Sequence, residues 1–203
     1  MNRLDFFKEW FYKETDRQFS LNESLNIPIG ILTIVFGLLF FMFMNFSFSL
    51  EANLITEVLF LVLLCITILL GIIVVVYLFA SYNSLFVKYE YKALPSPTEL
   101  NAQYKKLEQY VTENKRLLPE NVTADSLYEE QLIEMFSEYI DHNVEKNDNK
   151  MSYLYQAKQF LFICVVSAML CAVPFSIHFY SNKENIQKVE IYNLSDFRTN
   201  SNY

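Results

Sequence analysis

The sequence predicts an all-α integral membrane protein, a bundle of three transmembrane helices with a cytoplasmic helical hairpin. Three runs of about 20 residues contain no Asp, Glu, Lys or Arg. The composition is 53% hydrophobic and only 19% charged, whereas a soluble domain carries about 25% charged residues. The chain contains 3 Gly and 5 Pro, which favours long helices over a loop-rich β fold.

The amino-terminal segment, residues 1–26, is predicted to be an amphipathic helix. Phe7 and Phe11 lie four residues apart on one face, Trp10 lies beside them, and charged residues occupy the rest. An aromatic face opposite a charged face is typical of a helix in the lipid headgroup region. We therefore interpret Phe7, Trp10 and Phe11 as interfacial anchors. The alternative is a soluble helix that packs on the cytoplasmic segment.

Three segments are predicted to cross the bilayer. They are 27–48 and 58–80, which form a transmembrane hairpin over 27–82, and a third helix at 159–180. Each reaches the roughly 20 apolar residues that a hydrocarbon core about 30 Å thick requires, and the backbone must be helical because lipid offers no hydrogen-bond partner. The third contains Pro174 and His178, so a re-entrant or interfacial segment is the alternative there.

The positions of Lys and Arg predict the orientation. Four basic residues precede the first span, at Arg3, Lys8, Lys13 and Arg17, whereas the connector 49–57 has none. Further lysines flank the long middle segment at Lys88, Lys92, Lys146, Lys150 and Lys158. The amino terminus and 83–158 are therefore predicted to be cytoplasmic, and the connector and the short polar tail 181–203 to lie outside. We expect a multi-pass protein of the bacterial cytoplasmic (inner) membrane.

The cytoplasmic segment 83–158 is predicted to be a helical hairpin. Ser96, Pro97 and Glu99 form a capping-box signal for the first arm. The second arm begins near Asp125 or Ser126 and is free to continue into the third span. Because short helices gain stability mainly by packing on partners, we expect self-association, and hence a homo-oligomer.

One polar-to-apolar stripe follows the second arm across the predicted membrane boundary. Its members are Asn143, Asn147, Lys150, Leu154 and Ala157, continued by Leu161, Cys164 and Ala168, spaced alternately by three and four residues. This spacing places them on one helix face and predicts a helix–helix seam. Asparagine in such a seam fixes register and oligomeric state. The alternative for the three polar members is a solvated face beside the membrane.

The pattern Asn143-x3-Asn147-x2-Lys150-x3-Leu154-x2-Ala157, entering a final hydrophobic helix, resembles the juxtamembrane segment of small multi-span proteins in bacterial anti-phage operons. The resemblance implies a membrane-perturbing or pore-forming effector of abortive infection. It also implies a cytoplasmic sensor as partner, such as a reverse transcriptase, a nucleotide cyclase or an Argonaute-like protein. The alternative is a non-pore membrane anchor or accessory subunit that scaffolds a cytoplasmic partner.

Several other function classes are disfavoured by the sequence. His142, between Asp141 and Glu145, has no nucleophile or second histidine at ligand spacing, so we expect no enzyme and neither cofactor nor metal. A net charge of −7 disfavours a nucleic-acid partner.

The predicted spans lack the ionisable groups of pumps and proton-coupled carriers. A pore lined by Thr33, Thr67, Ser167 and the cysteines is the alternative to hydroxyls that bond back to their own helices. Cys65, Cys164 and Cys171 are interpreted as packing residues.

Overall fold

The computed structural model describes residues 2–46, 54–82, 90–119 and 121–199, with side chains as far as Tyr180. Within these ranges the chain is helical, without strands, which confirms the predicted all-α class. The helices are α1 (Arg3–Glu23), α2 (Asn26–Met44), α3 (Leu54–Tyr82), α4 (Pro97–Glu113) and α5 (Ala124–Thr199). Most of the predicted connector (49–53) and the start of the predicted cytoplasmic segment (83–89) lie outside the described residues.

The chain divides into two compact units. The first unit comprises Met1–Leu25 and Phe79–Tyr153, and the second comprises Asn26–Leu78 and Leu154–Tyr203. Helices α3 and α5 contribute residues to both units.

Three helical stretches are long and apolar enough to cross a membrane, as the sequence predicts. They end at Met44, at Tyr82 and at Tyr180. Helix α5 is continuous over 76 residues, so the second arm of the predicted hairpin and the third predicted span are one helix. At 1.5 Å per residue it measures about 114 Å, far more than a bilayer core, so only part of it can lie in lipid. It also continues to Thr199, which makes most of the predicted tail helical.

The capping box at the start of α4 is confirmed. The backbone N–H of Glu99 donates to the Ser96 hydroxyl at 3.3 Å, and the Ser96 N–H donates to the Glu99 carboxylate at 2.8 Å. The Ser96 N–H, together with the Ser96 hydroxyl that donates to the same carboxylate at 3.0 Å, lowers the pKa of Glu99. None of the α4 residues is buried. Tyr104 makes contact with α5, where its hydroxyl donates to Asp125 at 2.9 Å.

The apolar core of the first unit lies between α1 and α5. Phe11 is buried against Phe136, with ring centroids 5.6 Å apart, and Ile140 completes the cluster. Phe7 packs against the same cluster. The side of α1 that carries Leu4, Phe7 and Phe11 is therefore packed against α5. For Phe7 and Phe11 the structure shows the alternative, a helix packed on another helix, in place of the predicted interfacial anchors.

The second unit packs α2, α3 and α5 around a second core. Its buried members are Val35, Leu39, Met42, Phe46, Phe60, Leu64, Cys164, Ala168 and Cys171. Cys164 and Cys171 are thus packing residues, as predicted, whereas Cys65 is exposed on α3. The Thr33 hydroxyl donates to its own helix at Ile29, and Thr67 does the same to Leu63. Thr67 and Ser167 also bond each other at 2.7 Å.

Gly71 sets the close packing of α3 on α2, and Gly71→Ala is expected to destabilise the second unit by about 1–2 kcal/mol through overpacking. A Cβ at this position meets the Phe36 ring at 2.6 Å, so the ring must move out of its site. Gly37→Ala is the matched control, since its added Cβ meets nothing within 4 Å. We expect it to be neutral or slightly stabilising, because alanine is the better helix former. Unfolding of both variants in mixed detergent micelles is the measurement, and equal stabilities would contradict the prediction.

Candidate functional site

The buried residues of α5 recur every three and four positions along most of the helix. Those at this spacing are Ile133, Phe136, Ile140, Asn143, Asn147, Lys150, Leu154, Ala157, Leu161, Cys164, Ala168 and Cys171, and Ser167, Pro174 and His178 are buried on the same helix as well. This is the heptad spacing of a packed helix seam. All five predicted seam residues belong to it, and Asn147 and Ala157 are both 0% exposed. The alternative of a solvated face is therefore wrong for the polar members, and the seam also extends further toward the start of α5 than the sequence prediction.

Asn143 binds the backbone of the segment that precedes α4. Its side-chain oxygen accepts from the Lys92 N–H at 2.9 Å, and its side-chain nitrogen donates to the Lys92 carbonyl at 3.1 Å. One amide side chain thus satisfies both backbone groups of a non-helical residue. Beside it, His142 donates through Nε2 to the Glu90 carbonyl at 2.6 Å. His142 therefore binds the backbone of the same segment.

Asn147 joins α5 to α1 and to the same segment. Its nitrogen donates to the Glu14 carbonyl and to the Glu14 carboxylate, both at 2.9 Å. Its oxygen accepts from the Tyr91 hydroxyl at 3.0 Å. Burial raises the pKa of Tyr91. Because Asn147 is fully buried, each of these bonds replaces one that water would otherwise make.

Lys150 completes the polar part of the seam. It is 3% exposed, and its ammonium group donates to the side-chain oxygen of Asn22 on α1. The Ser81 hydroxyl, in the last turn of α3, donates to the Lys150 carbonyl at 3.1 Å. Burial lowers the pKa of Lys150, since the charged form loses hydration.

Arg17 forms ion pairs at the more exposed edge of these hydrogen bonds. Arg17 reaches Asp148 at 2.6 Å and Glu14 at 3.4 Å. Burial alone lowers the pKa of Arg17, but the hydrogen bond to Asp148 and the charge of Glu14 outweigh it and raise the pKa. We call the whole set the polar network: Glu14, Arg17, Asn22, Ser81, Tyr91, Lys92, Asn143, Asn147, Asp148 and Lys150.

The sequence reasoning found the α5 half of this network and missed the other half. Glu14, Asn22 and Tyr91 carry no motif, and only their positions in the fold bring them to α5. The three polar residues of the seam could have indicated these partners, because buried polar side chains require polar groups on the element that packs against them. The partners lie in the same chain, so these three seam positions are occupied within one copy.

Lys150→Met is expected to remove one pH dependence of the stability of the first unit. Because burial lowers the folded-state pKa of Lys150, the unfolded chain binds more protons between that value and the ordinary lysine value near 10.5. Stability contributed by this residue therefore increases as the pH rises through that window. We expect Lys150→Met to be at least as stable as the parent at pH 7.5. The stability of the variant is not expected to increase as the pH rises from 7.5 to 10.

Denaturant unfolding in detergent at pH 7.5 and pH 10 measures the effect. Lys158→Met is the control, since Lys158 is exposed on the same helix. A Lys150→Met variant that keeps the full pH dependence of the parent would contradict the assignment.

On the outer face of α1, Trp10 and Phe6 stay exposed. Their rings contact edge to face at 5.7 Å, and Glu9 and Lys13 form an ion pair beside them at 2.8 Å. These four residues line an open groove of about 360 Å³. Interfacial anchoring by Trp10 stays a prediction.

The polar network is built from amide, hydroxyl, ammonium, guanidinium and carboxylate groups that bond one another and the backbone. Within the described ranges no group of three or more His, Cys, Asp or Glu side chains is placed to hold a metal ion. What the polar network does chemically is bind helices and an extended segment together through desolvated hydrogen bonds. Comparison with known proteins adds nothing to this description: no protein-family model matches the chain, and no curated protein or solved structure matches it significantly.

Proposed function

We propose that the chain is a homo-oligomeric protein of the bacterial cytoplasmic membrane that perturbs the bilayer or forms a pore, as an effector of anti-phage abortive infection. The observation that carries the proposal is the polar stretch in the seam of α5. Asn143, Asn147 and Lys150 are buried there, and the same helix continues as an apolar seam into the third predicted span.

A polar stretch in a seam supports a switching role on energetic grounds. A buried apolar contact loses its full transfer free energy when it opens. A hydrogen bond that exchanges a protein partner for water changes the free energy by only about 0.5–1.5 kcal/mol. Lys150 favours opening further, because its ammonium group regains hydration. The polar network is therefore the part of the seam that a bound trigger opens most readily.

The proposed topology places the amino terminus and 83–158 in the cytoplasm, where a sensor protein would act. Its support is the lysine and arginine distribution, since four basic residues precede the first span and the connector carries Glu51 and Glu57. In this orientation the polar network lies on the cytoplasmic side. A membrane-impermeant thiol reagent tests it on single cysteines placed at Asn53 and Asn101, with the native cysteines replaced by alanine.

A pore in this proposal needs several copies. The hydroxyls of Thr33 and Thr67 bond back to their own helices, and Ser167 bonds Thr67. The Thr67 and Ser167 hydroxyls are therefore engaged in packing between α3 and α5, and the proposal places the conducting path between copies. The second unit instead exposes apolar side chains such as Phe40 and Phe162, which suit lipid or the apolar surface of another copy.

Induced expression with a potential-sensitive dye tests the effector role. Asn147→Ala weakens the polar network and is expected to depolarise cells without the trigger, whereas Asn149→Ala, an exposed asparagine on the same helix, is expected to behave like the parent. Both are compared at equal amounts in the membrane fraction. An Asn147→Ala chain that inserts normally and leaves potential and growth unchanged contradicts the effector function.

A second candidate, a non-pore anchor for a cytoplasmic partner, is favoured by the surface near the end of α4. No α4 residue is buried. In the turn that follows α4, Leu117 is 84% exposed, and its neighbours are the basic residue Arg116 and the apolar residue Leu118. Leu117→Glu is expected to release a co-purifying cytoplasmic protein. Retention of that protein by Leu117→Glu counts against the anchor, and depolarisation without any co-purified protein favours the effector.

A further inference from the structure

A groove on α5 lies where the exposed face of this helix changes from polar to apolar. It belongs to the second unit and has a volume of about 610 Å³, within the range of about 300–1,000 Å³ that is usual for small-molecule sites. We call it the boundary groove, and its described lining residues are Tyr155, Lys158, Gln159, Phe160, Phe162 and Ile163. Three of them carry hydrogen-bond donors and three are apolar. The groove therefore suits a ligand that has a polar part and an apolar part.

The polar and apolar parts of this face follow each other along the helix axis. Tyr155 and Lys158 come first, and Phe162, one turn further on, is 70% exposed. The exposed apolar side chains that continue the same face are Ile163, Val166, Met169 and Leu170. At 1.5 Å per residue, Lys158 and Leu170 are about 18 Å apart, close to half of a hydrocarbon core about 30 Å thick. The face thus has the order and the length of one phospholipid in a single leaflet.

Lys158 brings a positive charge to the groove that no described residue neutralises. Its side chain is exposed, and it forms no ion pair within the described ranges. The other residue of the second unit with a formal charge at neutral pH, over 26–46, 54–78 and 154–180, is Glu57 in the first turn of α3. Phe160 stacks on Tyr77, and Tyr77 lies about 30 Å along α3 from Glu57. The ammonium group is therefore complementary to an anion from outside the chain.

The wall of the boundary groove is fixed by packing. The Phe160 ring stacks on Tyr77 of α3, with centroids 5.4 Å apart and planes within 10°. Ala157 and Leu161 hold the opposite side of α5 in the buried seam. Because these contacts already define the surface, a ligand need not order the groove, and this lowers the cost of binding.

We propose that the boundary groove binds one anionic phospholipid of the bilayer. The ammonium group of Lys158 binds the phosphate, Tyr155 and Gln159 donate hydrogen bonds to headgroup oxygens, and an acyl chain lies along Phe162 and Val166. The site is additional to the proposed effector function. It requires only that the third predicted span lies in lipid.

Charge and shape favour a lipid over the other occupants of such a face. A second copy offers Glu57 as the one formal negative charge in the described part of its second unit, at the far end of α3 from Tyr77. A free phosphate would leave the apolar face beyond Lys158 uncovered. A phospholipid covers both parts at once, and an anionic headgroup has no ammonium group that competes with Lys158 for the phosphate.

Tryptophan fluorescence of the full chain in vesicles tests the site. The chain contains one tryptophan, so Trp10→Phe combined with Phe162→Trp places the only reporter in the groove. The vesicles contain phosphatidylglycerol and phosphatidylcholine in equal amounts, and one of the two carries bromine on its acyl chains, which quenches a tryptophan in contact with it. We expect phosphatidylglycerol to bind about fivefold more tightly at this reporter, the effect of one lysine at an anionic surface.

Two matched variants separate the groove from the rest of the surface. Lys158→Gln is expected to reduce the preference to near one, whereas Lys105→Gln, which removes an exposed lysine of α4, is expected to leave it unchanged. The second reporter is Val76→Trp in the Trp10→Phe chain. Val76 is 58% exposed on α3 and adjacent in sequence to the Tyr77 that stacks in the groove wall. We expect no preference at that reporter.

Each other result overturns the site in a recognisable way. A preference that is equal at both reporters, or that survives Lys158→Gln, would arise from general surface charge. Loss of the preference when glycerol phosphate is added would assign the groove to a soluble anion. Quenching at Val76→Trp alone would mean that a second copy covers the groove. In these cases the proposed function stands, but quenching at neither reporter would remove both the site and the proposed membrane function.

Discussion

Asn147→Leu is expected to destabilise the first unit by about 3 kcal/mol, one of the two largest effects of a single substitution in this chain. The change deletes two bonds to Glu14 and one to Tyr91 at a position that is 0% exposed. Leucine has a similar volume and fills the space, but it leaves the Tyr91 hydroxyl and the Glu14 oxygens without this partner. Each buried polar group left in that state costs about 1–3 kcal/mol.

Hydrogen exchange of α1 in detergent measures this loss region by region. A 3 kcal/mol change raises the population of the open state about 100-fold, so the amides of α1 are expected to exchange correspondingly faster. Asn149→Leu is the matched control, because Asn149 is an exposed asparagine two residues away on the same helix. An Asn147→Leu chain more stable than the parent would contradict the prediction. The polar network would then determine which packing forms, without adding stability.

The polar network gives the seam of α5 two parts with different responses. Between Ile133 and Ile140 and again from Leu154 to Cys164 the buried members are apolar, and opening them exposes apolar surface to water. Between Asn143 and Lys150 the members are polar, and water replaces their partners at small net cost. Opening of the seam is therefore expected to begin between Asn143 and Lys150. Salt is expected to assist it, since Arg17 and Asp148 lie at the half-exposed edge.

The helices and the two halves of the seam were predictable because they depend on local pattern. In lipid, an uncharged run of about 20 residues must form a helix, because its backbone has no other hydrogen-bond partner. The capping box at Ser96 requires only two residues three positions apart. The alternating spacing from Asn143 to Ala157 likewise records which face of α5 is buried. These features need no knowledge of what lies across the interface.

The partners across the interface were not predictable from pattern. The same aromatic face of α1 suits a headgroup layer and a protein core equally well, and the structure uses Phe11 for the core against Phe136. Asn143 was expected to serve helix register, whereas it binds the backbone at Lys92. A single amide side chain gives no sign of which partner it meets, because that depends on a segment about 50 residues away in sequence.

Phe60→Ala is expected to destabilise the second unit by about 4 kcal/mol, in the range observed for a buried phenylalanine replaced by alanine. Phe60 is 0% exposed and stacks on Phe46, with ring centroids 4.1 Å apart and planes within 1°. Phe46 in turn stacks on His178 at 4.2 Å. Removal of the Phe60 ring therefore leaves a cavity beside α5 and takes away one side of a three-ring stack.

The stack joins α3 to α5 through the residue that follows α2, so its loss is expected to loosen all three elements together. Unfolding in mixed detergent micelles measures the stability, and Phe40→Ala is the control because Phe40 is 62% exposed on α2. We expect the control to change the free energy of unfolding by less than about 1 kcal/mol, since removal of an exposed ring leaves no cavity in the core. Equal losses in the two variants would mean that the Phe60 side of α3 is not the packed side, and the described core of the second unit would then be wrong.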